Sequence, residues 1–180
     1  MNYTGSKFKI LDQILPSFDY RKPIFVDLFA GGGSVFLNVL DKYEYILVND
    51  IIVDLIGIHS SILESDDIIN STKMLCPDKN NKYMFHELRD DYNLNPSPDK
   101  LWALVLCSNN NMLRFNKKMK YNMTYGNRTW NANTDKKVSE YKEHIRKFKS
   151  KINFTSTSFQ NIDVFENMMI YADPPYLNTE

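Results

Sequence analysis

The stretch Ile24-Phe25-Val26-Asp27-Leu28-Phe29-Ala30-Gly31-Gly32-Gly33 decides the fold. Its first half is a short apolar run, the pattern of a strand buried on both faces. Its second half is a run of glycines, which lets the backbone turn and approach a ligand closely because no Cβ intervenes. Residues 34–40 then read as a helix, residues 45–50 as a second strand, and residues 51–64 as a further helix. Strand, glycine turn, helix, strand is the opening of an α/β unit with a parallel sheet.

Outward from this unit the pattern changes. Residues 6–15 carry apolar side chains at helical spacing, and Pro16 comes next. Residues 66–100 are polar and mixed, with a helical look only at Met84-Phe85-His86-Glu87-Leu88-Arg89. Asn95-Pro96-Ser97-Pro98-Asp99 is a breaker, with Asp99 the expected N-cap of a helix over 100–108. Over 112–130, alternating Leu113, Phe115, Tyr121, Met123 and Tyr125 predict a hairpin around Asn116-Lys117-Lys118. Residues 136–149 predict a basic amphipathic helix with Val138, Tyr141, Ile145 and Phe148 inward, and residues 152–155 and 168–172 two more buried strands. The expected organisation is a core over 1–60, an inserted subdomain over 61–150 and a return to the core over 151–180.

With 43% hydrophobic and 24% charged side chains in 180 residues, the composition is that of an ordinary globular chain. No apolar run approaches the roughly 20 residues a membrane helix needs, so no membrane partner is expected. The polar start Met1-Asn2-Tyr3-Thr4-Gly5-Ser6-Lys7 has no signal core. Cys76 and Cys107 make neither a disulfide framework nor a zinc motif. Reducing cytoplasm is expected, and abundant Asn, Lys, Ile and Tyr hint at an AT-rich bacterial or phage genome. The zero net charge hides an asymmetry. Residues 112–151 hold twelve basic and three acidic side chains, so this segment is +9 and the remainder −9. Such a segment suits a polyanion. Interleaved Phe115, Tyr121, Tyr125 and Trp130 would stack on bases, and the nearby asparagines would read base edges. A solvated helical surface is the plainer alternative.

The glycine turn lacks the Gly-Lys-Ser/Thr of a P-loop, and Phe36 stands where a dinucleotide fingerprint needs a third glycine or alanine. What remains is a methyltransferase-type turn or a mere tight turn. Asp50, 17 residues after Gly33, suits ribose hydroxyls. Asp173-Pro174-Pro175-Tyr176 comes after an apolar strand, and a Pro pair there stops sheet pairing and stiffens the turn. A rigid carboxylate, a carbonyl and an aromatic face suit a planar, amino-bearing ring.

The ordered set Tyr3-Thr4-Gly5-Ser6-Lys7, residues 25–35 with Asn38, Asn49-Asp50 and Asp173-Pro174-Pro175-Tyr176 resembles the Dam-like DNA adenine-N6 methyltransferases of the D12 class. Asn111-Met112-Leu113-Arg114 and Tyr125-Gly126-Asn127-Arg128-Thr129 look closest to the phage T4-type Dam enzymes. The resemblance implies a Rossmann-like sheet binding S-adenosyl-L-methionine, with an inserted helical and β-hairpin target-recognition subdomain. It implies Tyr3 and Lys7 at the methionine end of the cofactor, Asp27, Phe29, Gly31 and Gly33 around it, Asp50 on its ribose and Phe159 on its adenine. Asp173, Pro174 and Tyr176 are implied as the catalytic motif, with Asp173 also near the cofactor. Asn111, Met112, Arg114, Lys117, Lys118 and Arg128 are implied on DNA, with Arg114 reading guanine. Asn109 and Thr124 depart from the T4-type pattern, and a GATC-like site is the first expectation.

The expected reaction is methyl transfer to the N6 amine of an adenine flipped out of double-stranded DNA, without a metal. An RNA or protein-amide methyltransferase and a non-catalytic DNA-binding remnant are the rivals. In the family the sheet continues past the Asp-Pro-Pro-Tyr motif, whereas only four residues come after it here. The resemblance therefore implies a sheet incomplete at its C-terminus, with a longer gene, a second chain or gene decay as the alternatives.

Overall fold

A computed structural model describes residues 7–174. Four parallel strands form one sheet: β1 (Ile24–Asp27), β2 (Tyr45–Asn49), β3 (Ile152–Thr155) and β4 (Met168–Tyr171), in the order β3-β2-β1-β4. β1 is central and its Phe25 and Val26 are fully buried, which is what its unbroken apolar run requires. Phe25 lies opposite Ile46 on one side and Met169 on the other. Because every strand runs the same way, Asp27, Asn49, Thr155 and Tyr171 end along one edge. Open parallel sheets bind ligands outside that edge.

A short helix α1 (Leu11–Ile14), flanked by 3₁₀ turns, precedes the sheet. Between β2 and β3 come α2 (Val53–Glu64), α3 (Asp67–Leu75), α4 (Lys82–Leu94), α5 (Pro98–Cys107) and α6 (Ala132–Arg146). α5 is apolar on nearly every face, and Leu101–Val105 are buried beneath α2, α3 and α4. The buried side chains of sheet and helices form one continuous cluster. Cys76 and Cys107 are both buried as free thiols. Among the described residues no helix is long and apolar enough to cross a membrane.

Four local readings change. Residues 34–40, expected as a helix, make a single 3₁₀ turn, Phe36–Asn38. The Asn38 amide donates to the Ser34 carbonyl (2.9 Å), a side-chain bond that competes with helix continuation. α3 occupies a stretch read only as polar. Ser97, not Asp99, stands at the N-cap of α5, with Pro98 in the first turn. Asp99 instead accepts from the Ser71 hydroxyl and from Ser97 Oγ (2.5 Å). The predicted hairpin is present as a turn with two isolated antiparallel bridges, Ser108 with Tyr125 and Phe115 with Tyr121.

Candidate functional site

The carboxyl edge of the sheet gathers most of the expected site. Asp27 ends β1 with its side chain 1% exposed. Burial pushes its carboxyl up to about 7, with Asp50 and Asp173 reinforcing the rise and the N–H groups of Phe36 and Phe29 opposing it. Its Oδ1 has no hydrogen-bond partner among the described residues. Asp27 therefore sits beneath the glycine turn as an acid that is about half protonated at neutrality.

The turn itself is held by the neighbouring strands. The Leu28 amide donates to the Tyr171 carbonyl (3.1 Å) and the Ala30 amide to the Asn49 carbonyl (2.8 Å). Gly31 (φ +51°) and Gly33 (φ +82°) adopt left-handed backbone, which favours glycine. A Cβ on Gly33 would lie 2.6 Å from the Phe36 ring. Asp50, just past β2, accepts the Gly31 amide on Oδ2 (2.9 Å) and the Ile52 amide on Oδ1 (3.0 Å). Its carboxyl is also raised by burial, with these two amides opposing. It thus ties the glycine turn to the start of α2.

Lys7 reaches the same edge. Its Nζ lies 2.6 Å from Asp173 Oδ2, and its amide donates to Ser34 Oγ (3.0 Å). Both partners of the ion pair are largely shielded. Pro174 is exposed beside it. Phe29 and Phe159 meet with ring centroids 5.4 Å apart, and Phe159 remains half exposed, leaving an aromatic face beside the turn. Tyr3 and Tyr176 lie outside the described residues.

Three contributors were assigned no role from the sequence, although Ser34 and Asn49 lie within its motifs. Asn49 is buried; its amide donates to the Leu28 and Thr157 carbonyls (3.0 and 3.1 Å), and its oxygen accepts the Thr157 amide (3.1 Å). It thereby fixes the loop that carries Phe159. Ser34 orders Lys7. His59 of α2, completely buried, contacts the Gly31 carbonyl through Nε2 (2.9 Å).

The second group of expected residues lies on the hairpin. Arg114 is exposed and donates from Nε to Asn122 Oδ1 (3.1 Å), across the turn. Lys117 and Lys118 stand exposed at a tip organised by Asn116, whose Oδ1 accepts the Lys118 and Lys120 amides (2.9 and 3.1 Å). Arg128 donates to the Asn111 side-chain oxygen. Asn111 is itself buried, its amide nitrogen spent on the Val105 and Leu106 carbonyls (3.3 and 2.9 Å). Met112 is half-buried, and its carbonyl accepts from Ser108 Oγ and Tyr121 Oη (3.2 and 3.1 Å). These two residues face inward in the free chain, while the three cations and Arg128 face outward.

The interleaved aromatics do not stand ready to stack on bases. Tyr121 is buried against Tyr92 and Phe115, Tyr125 packs on Phe85, and Trp130 packs on Trp102 and donates to Asp135 (2.7 Å). Alternate hairpin positions face α4 and α5, so burial claims them.

A parallel sheet with a glycine turn after its central strand, an acid after the next and Asp-Pro after its edge strand defines a Rossmann-like chain of the methyltransferase class. Comparison with known proteins narrows the class. The D12 class N6 adenine-specific DNA methyltransferase family matches residues 3–180, and the chain belongs to that family. It is 31% identical over 194 residues to modification methylase StsI of Streptococcus sanguinis, covering 99% of this chain and 28% of that one. Type II methyltransferase M.FokI of Planomicrobium okeanokoites is 29% identical over 188 residues, covering 99% and 29%. The DNA adenine methylase of Haemophilus influenzae is 27% identical over 194 residues, covering 98% and 63%. The chain thus spans less than a third of the two modification enzymes and less than two thirds of the adenine methylase.

Proposed function

We propose that this chain acts in S-adenosyl-L-methionine-dependent methylation of adenine N6 in double-stranded DNA, in the cytoplasm of a bacterial or phage-infected cell. The observation that carries the reading is the convergence of Lys7, Asp27, Asp50 and Asp173 around one glycine turn. The charge of that group fits the methyl donor. Two acids beside the turn would repel a pyrophosphate, whereas a sulfonium and an α-ammonium are cationic. Lys7 is placed to meet the donor's carboxylate, and the Phe29–Phe159 face suits its adenine. When bound, the donor supplies an electrophilic methyl group.

The chain's own residues do the rest. Asp173 accepts a hydrogen bond from the target amine and, with the Pro174 carbonyl, aims the nitrogen lone pair; Tyr176 stacks on the flipped base. Such alignment is the main source of rate in a displacement of this kind. Asp173 must exchange its Lys7 partner for the amine, so a bound donor that draws Lys7 to its own carboxylate would free the acid for the base. Arg114, Arg128, Lys117 and Lys118 hold the duplex, with Arg114 on guanine of a GATC-like site. Asn111 and Met112 support them from beneath.

The test is incubation of the 180-residue chain with tritiated S-adenosylmethionine and unmethylated duplex DNA, with RNA and total protein as competitor acceptors. Label on adenine N6 is expected. Label on RNA or protein alone would replace the DNA reading. Binding of DNA without any transfer would favour the non-catalytic remnant or a requirement for further sequence from a second chain.

A further inference from the structure

The segment after β1 is short of regular structure, and that leaves carbonyls to be satisfied. Residues 31–40 make only one 3₁₀ turn, so the Gly31 and Leu37 carbonyls look outward from the segment for donors. Both find an imidazole. His59 Nε2 lies 2.9 Å from the Gly31 oxygen, and His144 Nε2 lies 2.7 Å from the Leu37 oxygen. His59 comes from α2, and its other nitrogen, Nδ1, meets the Tyr141 hydroxyl of α6 at 2.5 Å. His144 also belongs to α6.

The chemistry fixes the protons. A carbonyl oxygen only accepts, so His59 Nε2 carries the hydrogen, Nδ1 is bare, and Tyr141 donates to it. The ring cannot swing away. It stacks on Phe154 with an interplanar angle of 8°, meets Phe36 edge-on at 89°, and would stand 3.2 Å from a Cβ on Gly33. Gly31 is therefore gripped at both ends, its amide by Asp50 and its carbonyl by His59. Burial also pushes His59 down to about 4, which keeps the ring neutral.

We propose that His59 is a positioning residue for the cofactor turn, holding the Gly31 carbonyl so that the turn keeps its ligand-binding shape, with Tyr141 selecting the tautomer that can do so. This deepens the methyl-donor reading above and rests on it. His59 reaches the ligand only through Gly31. A sequence bearing one histidine within an apolar helix gives no hint of such a role.

The experiment compares the wild-type chain with His59→Gln, His59→Leu and Tyr141→Phe. The probe is S-adenosylhomocysteine, titrated calorimetrically, with amide hydrogen exchange at Gly31–Gly33 and ¹⁵N imidazole shifts read by NMR. A hydrogen bond lost to the part-buried Gly31 carbonyl predicts about tenfold weaker binding in His59→Leu, with about tenfold faster exchange in the turn. His59→Gln keeps an N–H donor and should stay within about threefold of wild type. Tyr141→Phe should fall between them, and duplex affinity without the probe should be unchanged throughout. Wild-type binding and exchange in His59→Leu would overturn the proposal. Equal losses in His59→Gln and His59→Leu would do so too, because ring packing alone would then explain them. Protonation at Nδ1 instead of Nε2 would overturn the tautomer assignment. If the wild-type chain fails to bind the probe, the methyl-donor reading falls, while the exchange arm still decides whether His59 holds the turn. Should His59→Leu not fold, His59→Gln and Tyr141→Phe carry the comparison.

Discussion

Replacing Asp27 with Asn should change how stability depends on pH more than it changes the structure. The carboxyl is 1% exposed, and burial raises it from 3.8 to about 7. Asn keeps an oxygen for the Phe29 and Phe36 amides but cannot ionise. In the native protein the unfolded chain loses the Asp27 proton from about pH 4 upward, whereas the folded chain keeps it until about pH 7. Stability from this group is therefore complete below about pH 4 and is lost as pH rises through 7. A shift of about three pH units at about 1.4 kcal/mol each gives about 4 kcal/mol across that window. Asp50 is raised in both proteins and cancels in the comparison. Urea unfolding at intervals from pH 4 to pH 8 should show the stability of Asp27→Asn gaining on wild type by about 4 kcal/mol. Most of the gain should come between pH 4 and 7, ending in a plateau. Difference curves flat to within about 0.5 kcal/mol over the whole range would refute a protonated Asp27 in the folded chain.

Asp173→Ala should lower methyl transfer by at least about a hundredfold, while duplex binding, read by fluorescence anisotropy, stays within about twofold. Transfer that survived would remove Asp173 from the chemistry. Arg114→Ala should cost about 1–3 kcal/mol on the cognate duplex and relax specificity at one base. Lys117→Ala should weaken all duplexes alike and reduce the salt slope by about one; a base-selective effect at Lys117 would reverse the two assignments. Gly33→Ala should destabilise by about 1–3 kcal/mol in urea titration, since the added Cβ meets Phe36 at 2.6 Å with φ at +82°.

The sheet was legible because its strands are short apolar runs with sharp ends. β1, β2, β3 and β4 all fall where the runs stood, and Asp50 and Asp173 lie just beyond the points where two of them stop. The turn after β1 was legible from its glycines. The segment beyond the turn was not: Val35, Phe36, Val39 and Leu40 are all buried, so their apolarity records burial on several sides and not one helical face. α3 escaped notice because only Ile68 and Thr72 are fully buried in it, too few to make a periodic stripe. The hairpin aromatics were visible, but their direction was not, because a period of two fits either face until α4 and α5 are in place. Asn49 stood in the Asn49-Asp50 motif, but its partners, like those of His59, could not be read there, because a backbone partner leaves no trace in a side-chain pattern.

The same limit applies to the +9 segment, whose charge is divided between two tasks. On α6 and just after it, Lys142 and Arg146 share Asp66 (3.0 and 2.8 Å), and Lys149 meets Glu64 (2.7 Å). Arg146 also donates to the Ile62 carbonyl (2.8 Å). Exposed pairs of this kind contribute little stability each. Their effect on charge is larger, since a cation already beside a carboxylate releases little further when a phosphate arrives. The hairpin cations are different, because Arg114 and Arg128 are held by neutral asparagines that orient them without cancelling their charge. A polyanion would therefore meet the hairpin first, while α6, through Tyr141 and His144, faces the glycine turn. One basic stretch thus serves an outer surface and an inner brace, and the carboxylate-paired cations Lys142, Arg146 and Lys149 should count least toward the electrostatics of binding.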